Sequence, residues 1–172
     1  ALADFLDEYI DTNVWNGFDI VWNSAAHRYA KDIPMIVFDD SDMPRVKAEV
    51  RPNEFTVKAG DPKEYIRCTY QSLETILDNI IANARAHGFK QRDKKYQIKF
   101  DIEEKYDKVI LSVSNNGEPL HSSMESSEVY TYGQTSGDEN HSGIGCYQIK
   151  EYMDTLKGDV EIISTPNEEF TV

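Results

Sequence analysis

Two asparagines, Asn79 and Asn83, stand four residues apart in the run Leu77-Asp78-Asn79-Ile80-Ile81-Ala82-Asn83-Ala84. Residues at i and i+4 share one helix face, so both carboxamides project the same way from an otherwise apolar surface. A polar group among apolar neighbours needs a partner. The amide oxygen of asparagine is a hard, neutral ligand, suited to a Mg2+ ion that also holds phosphate oxygens. The competing use is a hydrogen bond within the helix or to another buried polar group.

Two further stretches carry chemistry. Ser114-Asn115-Asn116-Gly117-Glu118-Pro119-Leu120 ends an alternating strand. Asn115 can both donate to and accept from the edge of a heterocycle. Gly117 would let the backbone approach a flat ligand. The same residues also spell an ordinary Asn-Gly turn. His141-Ser142-Gly143-Ile144-Gly145-Cys146 opens a helix. Glycines there bare N–H groups at the positive end of the helix dipole, which favours an anion. A flexible helix lead-in would need the same glycines.

The elements that must position these residues follow from periodicity. Residues Leu2 to Ile10 read as a short helix, Phe18 to Trp22 as a strand, and Pro34 to Phe38 and Val46 to Val50 as short strands. Asn23 to Lys31 gives no clear signal. Asp61-Pro62 reads as a helix start, with Asp as cap and Pro in the first turn. Ile66, Tyr70, Leu73, Leu77, Ile80, Ile81 and Ala84 then keep a helical period until Gly88 stops it. Tyr96, Ile98, Phe100 and Ile102 alternate, as do Val109, Leu111 and Val113, which predicts two half-buried strands with a turn near Lys105 to Lys108. Asn115 to Ser142 is polar and too long for an idle connection. Gly143 to Lys157 reads as a helix closed by Gly158, and Val160 to Ser164 and Phe170 to Val172 as closing strands. This order predicts an α+β fold, with helices layered on one face of a mixed, mostly antiparallel sheet.

The 172 residues suit one domain with an appended segment. We divide them into 1–60, an N-terminal extension packed on the same domain, and 61–172, the domain that holds the motifs. Hydrophobic residues make up 40%, enough for a core, and the net charge of -13 argues against bare affinity for nucleic acid or an anionic membrane. Both cysteines, Cys68 and Cys146, fall in predicted helices, so a disulfide framework is not expected and a reducing compartment fits. No apolar run approaches the roughly 20 residues that span a bilayer. The chain begins at Ala1 rather than Met, so a longer parent protein is expected.

In this order and spacing, the three motifs resemble the N, G1 and G2 boxes of the GHKL ATP-binding superfamily (gyrase, Hsp90, histidine kinase and MutL type). The nearest resemblance is to the catalytic ATP-binding domain of a bacterial sensor histidine kinase, over roughly Leu73 to Val172. Val129-Tyr130-Thr131-Tyr132-Gly133-Gln134-Thr135-Ser136 is similar to that family's F box. The resemblance implies a Bergerat-type two-layer sandwich, with ATP held under a lid of about Asn116 to Ser142. Carried over position by position, it implies Mg2+ on Asn83, with Asn79 beside it near the phosphates. Asn115 would face the adenine amino group, and Gly117 would leave room for the base. Gly143, Ile144 and Gly145 would present backbone to the phosphates, with Thr135 and Ser136 in the lid. Arg85 and His87 are candidates for a phosphate contact. Hydrolysing relatives resemble a pattern with Glu where Asn79 stands. Asn has no proton to titrate near neutral pH and cannot be a general base, which favours transfer over hydrolysis.

The implied partners are dimerisation and phosphoacceptor helices upstream, a response regulator, and a second copy in a homodimer that is membrane-anchored outside this segment, with the domain itself cytoplasmic. No nucleic acid is expected.

The chain departs from the pattern in places. Asn115 stands where the family usually has Asp, Pro119 and His141 replace glycines, and Ala86 sits where Lys or Arg is common. No Lys or Arg occurs between Lys108 and Lys150, whereas Glu118, Glu125, Glu128, Asp138 and Glu139 do. Weak ATP binding that depends strongly on Mg2+ is therefore expected. His27 is followed by Arg28, with Pro34 seven positions on, which is unlike a phosphoacceptor motif. Two alternatives share the fold: a degenerate nucleotide-binding or signalling module without kinase activity, and an anti-sigma-type Ser kinase.

Overall fold

The computed structural model describes residues 1–13, 15, 17–33, 35–37, 66–105, 108–120 and 144–172. In chain order the elements are α1 (Leu2–Thr12), β1 (Phe18–Trp22), α2 (Ser24–Ala30), β2 (Met35–Val37), β3 (Ile66–Cys68), α3 (Tyr70–Asn83), β4 (Tyr96–Lys105), β5 (Lys108–Asn115) and α4 (Ile144–Thr155). A π-helical turn, Ala84–Gly88, continues α3.

The main sheet has the order β1-β4-β5 and is mixed. β1 runs parallel to β4, with Phe18 opposite Tyr96 and Trp22 opposite Phe100. β4 and β5 are antiparallel, with Ile98 opposite Asn115 and Lys105 opposite Lys108. β2 and β3 form a separate parallel pair. The expected strand at Val46 to Val50 lies outside the described residues.

The period-two pattern of β4 decides which face is covered. Tyr96, Ile98, Phe100 and Ile102 are buried, while Gln97, Lys99 and Asp101 on the other face are half-buried. The buried set joins one core with Leu2, Phe5 and Leu6 of α1, Ala26 and Ala30 of α2, and Leu73, Leu77 and Ile81 of α3. Helices therefore cover one face of an α+β sandwich. Removing a fully buried side chain such as Leu77 would cost about 2–5 kcal/mol.

The start of α3 differs from expectation. Ile66 and Cys68 are not helical but lie in β3. The helix begins at Tyr70, and its cap is Thr69 rather than Asp61. Thr69 Oγ1 accepts from the Ser72 N–H at 2.9 Å, and the Ser72 hydroxyl accepts from the Thr69 N–H at 3.2 Å. This reciprocal pair satisfies donors that the first helical turn leaves open. Residues 61–65 lie outside the described set. The unassigned stretch after β1 also resolves. Asn23 Oδ1 accepts from the Ala25 and Ala26 N–H groups and starts α2.

At its other end, α3 widens into the π turn, where the Phe89 N–H reaches the Ala84 carbonyl at 3.0 Å. Phe89 then stacks on Tyr96, with ring centroids 4.3 Å apart. The predicted strands at 160–164 and 170–172 are not strand elements. The last residues nevertheless bond to β5: the Asn115 N–H donates to the Val172 carbonyl at 2.7 Å, and the Thr171 N–H donates to the Asn115 carbonyl at 2.9 Å. Cys68 and Cys146 are both free, Cys68 in β3 and Cys146 in α4. Among the described residues no helix is long and apolar enough to cross a membrane.

Candidate functional site

Asn79 and Asn83 lie one turn apart on α3, both half-buried. The start of α4 lies directly against them. A Cβ added at Gly145 would stand 3.0 Å from Asn79 Oδ1 and 3.7 Å from Asn83 Oδ1. Only a residue without a side chain lets the helix terminus come this close at ordinary contact distances. The amide nitrogens are engaged. Asn79 Nδ2 donates to the Thr75 carbonyl at 3.0 Å and to Gln148 Oε1 at 3.3 Å. Asn83 Nδ2 donates to Cys146 Sγ at 3.0 Å. The intrahelical reading of Asn79 is thus satisfied through its nitrogen, while both oxygens stay beside the first turn of α4. Burial pushes the Cys146 thiol up, and the hydrogen bond from Asn83 partly opposes that.

The π turn connects this pair to the end of β5. Asn115 is buried, and its Oδ1 accepts from the Gly117 N–H at 2.9 Å. This is the turn that the Asn-Gly sequence allows. A Cβ at Gly88 would lie 3.2 Å from that same oxygen, and a Cβ at Gly117 only 2.7 Å from the carbonyl carbon and oxygen of Gly88. The missing side chain of Gly117 is therefore used first for backbone packing. The Glu118 N–H donates to the Gly88 carbonyl at 2.8 Å and closes the contact.

Sequence reasoning missed two members of this junction. In the sequence Gly88 marks only a helix stop. Thr171 was not singled out, yet it is buried and its hydroxyl donates to the Gly117 carbonyl at 2.6 Å. A β-hydroxyl residue in the closing segment is too common a signal to find this. Arg85 is exposed and His87 half-buried, both on the π turn. Ile144 opens α4. Gly143, Thr135 and Ser136 lie outside the described residues. His27 is elsewhere: its Nε2 lies 2.8 Å from an Asp7 carboxylate oxygen, and its ring meets Trp22 edge-on.

α3 is thus the common neighbour of all three motifs, touching α4 through Asn79 and Asn83 and β5 through Gly88. Among the described residues no group of three or more His, Cys, Asp or Glu is placed to hold a metal. A cation here would rest on neutral amide oxygens and on the phosphates of its own ligand, the regime that suits Mg2+. The free oxygens of the amide pair, beside a helix N-terminus, fit that donor set.

This arrangement is that of a nucleotide-binding domain of the Bergerat type. Residues 68–172 match the family of histidine kinase-, DNA gyrase B- and HSP90-like ATPases, and the chain belongs to it. It is also similar to the alginate biosynthesis sensor protein KinB of Pseudomonas aeruginosa, with 23% identity over 122 residues. That match covers 71% of this chain and 20% of that protein, so the chain spans about a fifth of its relative. The family assigns ATP binding to the domain.

Proposed function

We propose that this chain is the catalytic ATP-binding domain of a two-component sensor histidine kinase. The observation that carries the reading is the packing of Gly145 against the carboxamides of Asn79 and Asn83. It brings a helix N-terminus and two hard oxygen ligands to one point. In this reading Asn83 holds Mg2+, and Asn79 sits beside the phosphates. Asn115 meets the adenine edge, while Gly143, Ile144 and Gly145 offer backbone N–H groups to the phosphates. Arg85 and His87 are about one turn past Asn83 in sequence and are candidates for a phosphate contact, Arg85 as a fixed positive charge. Thr135 and Ser136 belong to the covering lid. Mg2+ would neutralise phosphate charge during transfer, which is the term that dominates phosphoryl-transfer catalysis.

Asn79 supplies no general base, so water is not activated from that position. The acceptor would be a His on separate upstream helices, with a response regulator receiving the phosphate next. The similarity to a sensor protein supports this assignment. The full protein would be a homodimer anchored in a membrane, with this domain on the cytoplasmic side.

The test is a phosphorylation assay with labelled ATP and Mg2+. The isolated domain should label nothing, and the chain extended through its upstream helices should label on an acid-labile, base-stable His. Labelling on Ser would instead mark an anti-sigma-type kinase. One observation favours a non-catalytic module: the interval from Val109 to Ile149 contains no Lys or Arg. Failure of the extended chain to label, with nucleotide still bound, would select that reading.

A further inference from the structure

The two amides are turned by side chains of α4. Asn83 Nδ2 donates to Cys146 Sγ at 3.0 Å, and among the described residues that sulfur is its acceptor. Asn79 Nδ2 donates to Gln148 Oε1 at 3.3 Å and to the Thr75 carbonyl at 3.0 Å. A carboxamide is planar, with nitrogen and oxygen on opposite sides of Cγ. Holding the nitrogen therefore decides where the oxygen goes. Both oxygens lie at Gly145, 3.0 and 3.7 Å from where a Cβ would stand. Neither accepts a hydrogen bond from another described residue.

We infer that Cys146 and Gln148 are positioning residues that hold the amides of Asn83 and Asn79 with their oxygens toward the glycine-opened start of α4, ready for a cation-phosphate ligand. The inference rests on the proposed nucleotide site. A flipped amide would present NH2 hydrogens to the cation, an unfavourable charge arrangement, so orientation decides whether the residue is a ligand at all. The two residues do not contribute equally. Asn79 keeps the Thr75 carbonyl if Gln148 is lost, whereas Asn83 has no second acceptor among the described residues. The Cys146 sulfur is a weak acceptor, and the Asn83 amide is the donor it meets.

The experiment titrates Mg2+ at a fixed excess of a non-hydrolysable ATP analogue and reads the thermal midpoint. The parent is compared with Cys146→Ala, Cys146→Val, Cys146→Ser and Gln148→Met. Removing the sulfur with Ala or Val should raise the half-saturating Mg2+ concentration about tenfold, and saturating Mg2+ should restore the parent's plateau. Cys146→Ser keeps an acceptor and should stay near the parent. Gln148→Met should fall between. Midpoints without nucleotide identify any variant that fails to fold, and Ala and Val remove the acceptor with opposite changes in fit. An unchanged half-saturating Mg2+ in both Ala and Val, or a plateau that Mg2+ cannot restore, overturns the positioning role. A parent with no Mg2+-dependent shift overturns the proposed function itself, and the inference with it.

Discussion

Gly145→Ala separates the stability of the fold from the function of the site. The added methyl would stand 3.0 Å from Asn79 Oδ1, 3.6 Å from its Cγ and 3.7 Å from Asn83 Oδ1. The closest obstacle is the tip of a side chain, which can give by a few tenths of an ångström. Alanine in place of glycine in a helix stabilises by about 1 kcal/mol. Displacing Asn79 strains or breaks its bonds to Thr75 and Gln148, at about 1 kcal/mol each. The gain offsets about half of the largest loss, so the net cost should stay within about 1 kcal/mol, or a fall in Tm of no more than about 4 °C for a chain of this size. The site has no such compensation. The methyl occupies the space between the amide oxygens and the helix start, where a cation and phosphate would meet. Affinity for a fluorescent ATP analogue with Mg2+ should fall at least tenfold, about 1.4 kcal/mol. Melting curves and nucleotide displacement on the same sample check both halves. Unchanged affinity in a folded variant would refute the reasoning, and so would a loss of stability well beyond the strain worked here.

Three other outcomes follow from the same packing. Gly117→Ala places a Cβ 2.7 Å from the carbonyl of Gly88, which is backbone and cannot swing aside; urea melts should show a loss of about 2 kcal/mol or more with little change in m. Tyr9→Phe removes the 2.6 Å hydrogen bond from the Tyr9 hydroxyl to Asp78 Oδ1. It should cost about 1 kcal/mol, and a double-mutant cycle with Asp78→Ala should recover most of that as coupling. Burial pushes the Cys68 thiol from an ordinary 9.0 up to about 11. Above pH 9 the unfolded thiol ionises while the folded one stays neutral, so stability should fall between pH 9 and 11. Cys68→Ser should remove that part of the pH dependence in urea melts.

The strands were legible where one face is buried and the other is not. Tyr96, Ile98, Phe100 and Ile102 alternate because the core takes every second residue of β4. The start of α3 is hidden in the sequence for a specific reason. Ile66 lies four residues before Tyr70, so a strand residue falls on the helical period by coincidence. The Thr69 and Ser72 pair was the better signal, but a Ser in place of the usual Glu or Gln hides the capping box. α2 is seven residues long, too short for periodicity to mark. At the site, spacing singles out the asparagine pair and the glycines that open α4, while their expected roles come from the family resemblance. Gly88 and Thr171 could not, because their roles exist only once the end of β5, the π turn and the last residues of the chain are brought together.

The central claim is that Asn79, Asn83 and the start of α4 form a site for nucleotide bound through Mg2+. Calorimetric titration of ATP into the domain, once with excess Mg2+ and once with EDTA, tests it most directly. Saturable binding is expected with Mg2+, and a large loss with EDTA, because no Lys or Arg lies between Lys108 and Lys150 to replace the cation. Equally tight binding in EDTA, or no binding with Mg2+ present, would contradict it.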